Sequence, residues 1–161
     1  MKTITLKSLL LYLVLINTAF NLKAITPQKL SQEQIRGAAL ITKLYSPIKL
    51  KLIALSANIA AVEQKITSAV NLFASNPNEP KEQLKKSLTK KLKKLATLRE
   101  KLVLIQYALQ RCPLSLKTEQ AQQAINQAGL IFLGSNLTPS NLENRIKQAL
   151  DSTKQLLEML G

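Results

Sequence analysis

The chain has 161 residues, 23 Lys and Arg against nine Asp and Glu, a formal net charge of +14, no histidine and one cysteine. Without histidine the usual general base near neutral pH and the commonest metal ligand are missing, and a single thiol cannot build a thiolate metal site. So basic a chain attracts acidic partners, and that association weakens as salt is added.

The N-terminus reads as an export signal. Lys2 and Lys7 precede the apolar run Leu9–Ile16, and the segment ends at Leu22-Lys23-Ala24. A positive start, an apolar block and a small residue form a secretory signal peptide over 1–24, with cleavage after Ala24. The apolar block is shorter than the roughly 20 residues that a bilayer requires. The alternative is an uncleaved N-terminal anchor helix. Cleavage leaves 25–161 as a single helical-bundle domain, which places the protein in a secreted or periplasmic setting. Removing Lys2, Lys7 and Lys23 leaves 20 basic and nine acidic residues, a net charge of +11.

The prolines divide the mature chain into helices. Thr26-Pro27 offers an N-cap with proline at the first helical position, and Ser31 with Gln34 a capping box. A first helix is expected from 27–32 to about Tyr45. Ser46-Pro47 repeats the cap-and-proline signal, and the residue before proline disfavours helical geometry, so a sharp corner or kink is expected there. The next helix, 47–74, carries Ile48, Leu52, Leu55, Ile59, Val62, Ile66, Ala69 and Phe73 at alternating spacings of four and three. That is the 3.5-residue period of a coiled-coil-like seam. Residues 75–80, SNPNEP, read as a turn.

From Pro80 to Arg111 the same period returns in Leu84, Leu88, Lys91, Leu95, Leu98, Leu102, Ile105 and Leu109. Glu79 and Glu82 suit the positive end of this helix. Two long helices of matched period, 47–111, make an antiparallel hairpin. A shorter helix over 118–133 carries Ala121, Ile125, Ala128 and Phe132 on one face and is closed by Gly134. Residues 129–134 could instead form a short strand. Thr138-Pro139 and the pair Ser140/Glu143 start a last helix, 139–160. The fold class is all-α: an antiparallel bundle of about five helices built on the hairpin.

The stretch 81–102 holds nine basic and two acidic residues. On a helical wheel Lys86, Lys90, Lys93, Lys94 and Lys101 lie opposite the leucines. With Lys85 they form the candidate face for an anionic partner. An amphipathic helix with a solvated back explains most of this pattern. A face selected for solubility alone would mix signs. Lys91 falls inside the leucine seam. Either its stem lies on apolar surface with the ammonium in water, or it is a register or partner-contact residue.

Little catalytic chemistry is visible. Asp151 is the only aspartate, the eight glutamates are scattered, and no nucleotide, phosphate-loop, nucleophile-elbow or calcium-loop pattern occurs. Ser152 and Lys154 are two apart on a helix and do not face each other. No catalytic residue, cofactor or metal is expected, and the chain reads as non-enzymatic. Cys112 is either an idle thiol or an intermolecular disulfide partner. Asn136-Leu137-Thr138 matches the N-glycosylation pattern.

Three functions fit. The first is protein–protein interaction or self-association through the helical seams. The second is attachment to an anionic membrane or envelope surface through 81–101. The third is a periplasmic holdase-like chaperone. In size, charge and hairpin the chain resembles the Skp-type chaperones, which pair a hairpin with a β-sheet assembly core. No strand precedes the first helix here, so membership does not follow. Nineteen of the 23 basic residues are lysine, and no stacking aromatics interleave with the basic stretch, which argues against nucleic acid.

Overall fold

The computed structural model of the chain describes residues 32–75, 80–112 and 119–161. The expected signal peptide, its cleavage bond and the caps at Thr26 and Ser31 lie outside them. The described residues are all-helical, with no strand. They form α1 (Gln32–Ser75), α2 (Lys81–Arg111), α3 (Glu119–Leu133), a 3-10 turn (Ser135–Leu137) and α4 (Pro139–Met159).

The expected corner at Ser46-Pro47 is absent: α1 runs through Pro47 as one helix. Two of the expected helices are therefore one, and the described residues hold four α-helices. Proline here removes a hydrogen bond to the Lys43 carbonyl and crowds it, at a cost of about 3 kcal/mol. Burial offsets that cost. Ile41, Tyr45, Ile48, Leu52, Leu55, Ile59, Val62 and Ile66 are all buried, and their four–three spacing does not change phase across Pro47. Breaking the helix would expose part of this stripe, and each large side chain is worth roughly 1.5–3 kcal/mol.

The described residues divide into two compact units, one within Met1–Leu50 and Tyr107–Thr138 and the other within Lys51–Gln106 and Pro139–Gly161. In the first, Tyr45, Ile41, Ile125, Ala128 and Leu133 are buried. Residues 129–133 are helical, so the strand alternative does not hold. The helix ends where Gly134 takes a positive φ of 86°, and its N–H donates to the carbonyls of Leu130 and Ile131. Only glycine adopts that conformation without strain.

In the second unit, Leu52, Ile59, Leu88, Leu95, Leu142 and Ile146 are the most buried apolar side chains, and Thr153 is as fully buried. The Pro80 carbonyl accepts from the Gln83 N–H at 2.9 Å and closes the first turn of α2. Polar contacts fix the place of α4. Arg145 donates to Glu63 at 2.6 Å and to Ser56 at 3.1 Å. Glu143 accepts from Gln106 at 3.4 Å and lies 4.0 Å from Arg99. At the other end Lys85 donates to the Gly161 carbonyl at 2.9 Å. Helix α4 therefore packs against both other helical segments and runs antiparallel to α2. Glu143, expected in a capping box with Ser140, is engaged in this packing.

Candidate functional site

The basic stretch begins with an amphipathic helix. Leu84, Leu88, Leu95, Leu98 and Leu102 are buried on one side of α2, and Lys86, Lys90, Lys93, Lys94 and Lys101 are exposed. Lys85 stands apart from them. It is part-buried, sits 3.3 Å from Glu82 and bonds to the chain's last carbonyl, so it belongs to the packing of α4. The five exposed lysines of the candidate face fall on two sides of α2, Lys86 and Lys93 near Glu82 and Glu100, and Lys90, Lys94 and Lys101 away from them.

Among the described residues Lys91 makes no ion pair. It is part-buried, and its ammonium donates to the Ser87 hydroxyl and, at 3.4 Å, to the Ser87 carbonyl one turn back. Burial holds its pKa below the ordinary lysine value, and the charges of Lys65 and Lys90 push the same way. Lys65, on α1, is thus close enough to Lys91 for their charges to interact. Sequence reasoning missed Lys65 because it considered one helix at a time. No pattern within either helix alone shows that Lys65 comes near the basic stretch.

The ion pairs among the described residues are Lys85–Glu82, Arg99–Glu143 and Arg145–Glu63. None involves Lys65, Lys86, Lys90, Lys93, Lys94 or Lys101. The acids fall elsewhere around the helices. At roughly 100° per residue, Glu82 and Glu100 share one side of α2, close to Lys86 and Lys93. Lys90 and Lys101 lie about a half-turn of azimuth from Arg99, which faces α4. Lys65 lies about the same angle from Ser56, the residue of α1 that Arg145 touches.

Other features offer less chemistry. In the first unit a groove of about 680 Å³ is lined by Lys49 and residues 130–138. Its cation is already committed: Lys49 donates to the Phe132 carbonyl at 2.6 Å and stands 4.5 Å above the Phe132 ring. Cys112 is part-buried, 3.5 Å from the Leu44 carbonyl, and burial raises its thiol pKa, so it is a poor nucleophile for exchange. Asn136 is exposed in the 3-10 turn, and the Thr138 hydroxyl donates to the Ser135 carbonyl. No cluster of three or more potential metal ligands occurs among the described residues, and no described helix is long and apolar enough to cross a membrane. Compared with protein-family models, curated proteins and solved structures, the chain matches none.

Proposed function

We propose that this chain is an exported, non-enzymatic helical protein that acts by protein–protein contact, with self-association as its simplest form. The observation that carries the reading is an uncharged, exposed stripe on α1 in the second unit. Residues 52–62 contain no charged side chain. Leu52, Leu55, Ile59 and Val62 are core, yet Ile53 is 46% exposed, and Ala54, Ala57, Ala60 and Ala61 are also exposed. A helix alanine-rich on its outer side lets a second helix approach closely, within the 8–10 Å of ordinary helix packing. The matched 3.5-residue seams support an antiparallel, coiled-coil-like hairpin between 51–75 and 81–106 as the frame that presents this stripe. The signal-like N-terminus supports export, and the missing histidine supports a role without catalysis.

Sedimentation of the purified chain over a range of concentrations is the test. A concentration-dependent oligomer that Ile53→Glu and Ala57→Glu abolish is the expected result. A chain monomeric at every concentration, with no partner sensitive to those substitutions, overturns the reading. The holdase-like alternative makes a different prediction: delayed aggregation of an unfolded client by the monomer.

A further inference from the structure

A second surface of the same unit points to a different partner. Lys51 and Lys65 on α1 and Lys90, Lys94 and Lys101 on α2 are all exposed. Each is turned away from the side of its helix that α4 occupies, as the contacts of Ser56, Glu63, Arg99 and Gln106 with α4 define it. Lys51 and Lys65 are 14 residues apart, about 21 Å along the helix, and Lys90 and Lys101 about 16 Å. Asn58 is exposed between the first two. Among the described residues of α1 and α2 no acid shares this side: Glu63 is paired to Arg145, and Glu82 and Glu100 lie on another side of α2.

We infer that this two-helix lysine face docks the protein onto an anionic membrane surface, with the ammonium groups of Lys51, Lys65, Lys90, Lys94 and Lys101 meeting lipid headgroup phosphates. The lateral arrangement favours lipid. Two helices side by side offer a broad face rather than a groove. Each lysine is a point charge on a flexible stem, suited to headgroups that diffuse to meet it. The planar fork of arginine, which reads nucleic acid bidentately, is directed elsewhere in this unit: Arg99 of α2 faces Glu143 of α4, and Arg145 of α4 bonds to Glu63 of α1. No aromatic residue occurs among residues 51–72 or 81–106 to stack on a base. Lys91, held in the seam behind this face, adds to its positive field. A polybasic surface gains about 1 kcal/mol per lysine near an anionic leaflet, so five account for a partition advantage of roughly four thousandfold. The inference does not depend on self-association, which uses other residues.

The experiment is co-flotation of the full chain with vesicles of phosphatidylglycerol and phosphatidylcholine in equal parts, and with phosphatidylcholine alone, at low and high salt. Binding to the anionic vesicles only, lost at high salt, is expected. Lys65, Lys90, Lys94 and Lys101 changed together to Gln should lower the partition coefficient at least about tenfold. Lys86→Gln with Lys93→Gln, two lysines that share their side with acids, should lower it about threefold or less. Helicity measured by circular dichroism confirms that both variants fold. Should the fourfold variant unfold, the salt dependence of the unaltered chain still decides. Equal binding to both vesicle types, or equal losses in the two variants, overturns the inference. Tighter binding to single-stranded DNA or polyglutamate than to the anionic vesicles overturns it as well.

Discussion

The ring of Tyr45 occupies the space that a side chain at Gly129 would need. A Cβ on Gly129 would overlap the ring atoms of Tyr45, and both residues are fully buried in the first unit. The glycine sits inside α3, where alanine would ordinarily favour the helix by about 1 kcal/mol. Packing reverses that sign here. Gly129→Ala should destabilise the protein by about 1–3 kcal/mol, as overpacking does. Adding Tyr45→Leu to Gly129→Ala should recover part of the loss. Chemical denaturation of the two single variants and the double variant tests this, and additive losses would show that the two sites are not coupled.

The same tyrosine predicts a pH effect. Its hydroxyl is buried with no hydrogen-bond partner among the described residues. Burial, with a smaller effect of Cys112, pushes its pKa from 10.0 to about 12. The folded state therefore resists ionisation more than the unfolded state does. The contribution is fully present below pH 10 and is lost as pH rises from about 10 to 12. Its full size is on the order of 2–3 kcal/mol. Tyr45→Phe should remove this dependence. It should also raise stability at neutral pH by about 1 kcal/mol, because an unsatisfied buried hydroxyl is lost. Unfolding curves collected across the alkaline range decide both points.

Lys91 should titrate with the opposite sign. Its folded-state pKa lies below the ordinary value of 10.5, through burial first and then Lys65 and Lys90. Stability should rise as pH climbs through the window just below 10.5, because the folded state gives up that proton first. Lys91→Leu should fill the seam and stabilise the fold by about 1 kcal/mol at neutral pH. It should also remove the rising limb. A loss of stability in Lys91→Leu would mean that the bond to Ser87 outweighs the apolar gain.

Arg145 joins α4 to α1 through Glu63 and Ser56, with both members of the ion pair about one-third exposed. A pair buried to this extent and hydrogen-bonded should be worth more than a surface pair, about 1–2 kcal/mol, and should weaken with salt. Arg145→Met and Glu63→Gln, singly and together, measure that coupling as a double-mutant cycle. A coupling energy near zero would show that apolar packing alone positions α4.

How much of this was legible in the sequence follows from the range of each interaction. The buried leucine and isoleucine positions of α1 and α2, Gly134 as the end of α3 and Pro139 as the start of α4 are local signals, and the structure bears each of them out. The back of α2 was equally readable from one helix. The bond of Lys85 to Gly161 was not readable, because its partner lies 76 residues away. Lys65 was missed for the same reason, since no period within α1 shows which side α4 will cover. The pairing of Gly129 with Tyr45 belongs to tertiary packing and leaves no local trace.

Pro47 shows a local rule overridden by packing, and it supplies the last test. The rule placed a helix boundary at Ser46-Pro47. The continuous buried stripe from Ile41 to Ile66 holds the helix together instead. Pro47 is exposed, so its ring contributes little to the core. Pro47→Ala should restore a hydrogen bond to the Lys43 carbonyl and relieve the crowding there, a gain of up to about 3 kcal/mol. The greater freedom of the unfolded alanine chain returns about 0.4–1 kcal/mol of that. The net expectation is a rise in stability of about 1–2 kcal/mol, with slower amide exchange around residue 47. A fall in stability would mean that proline serves this helix through the unfolded state, by restricting the chain that the buried stripe must order.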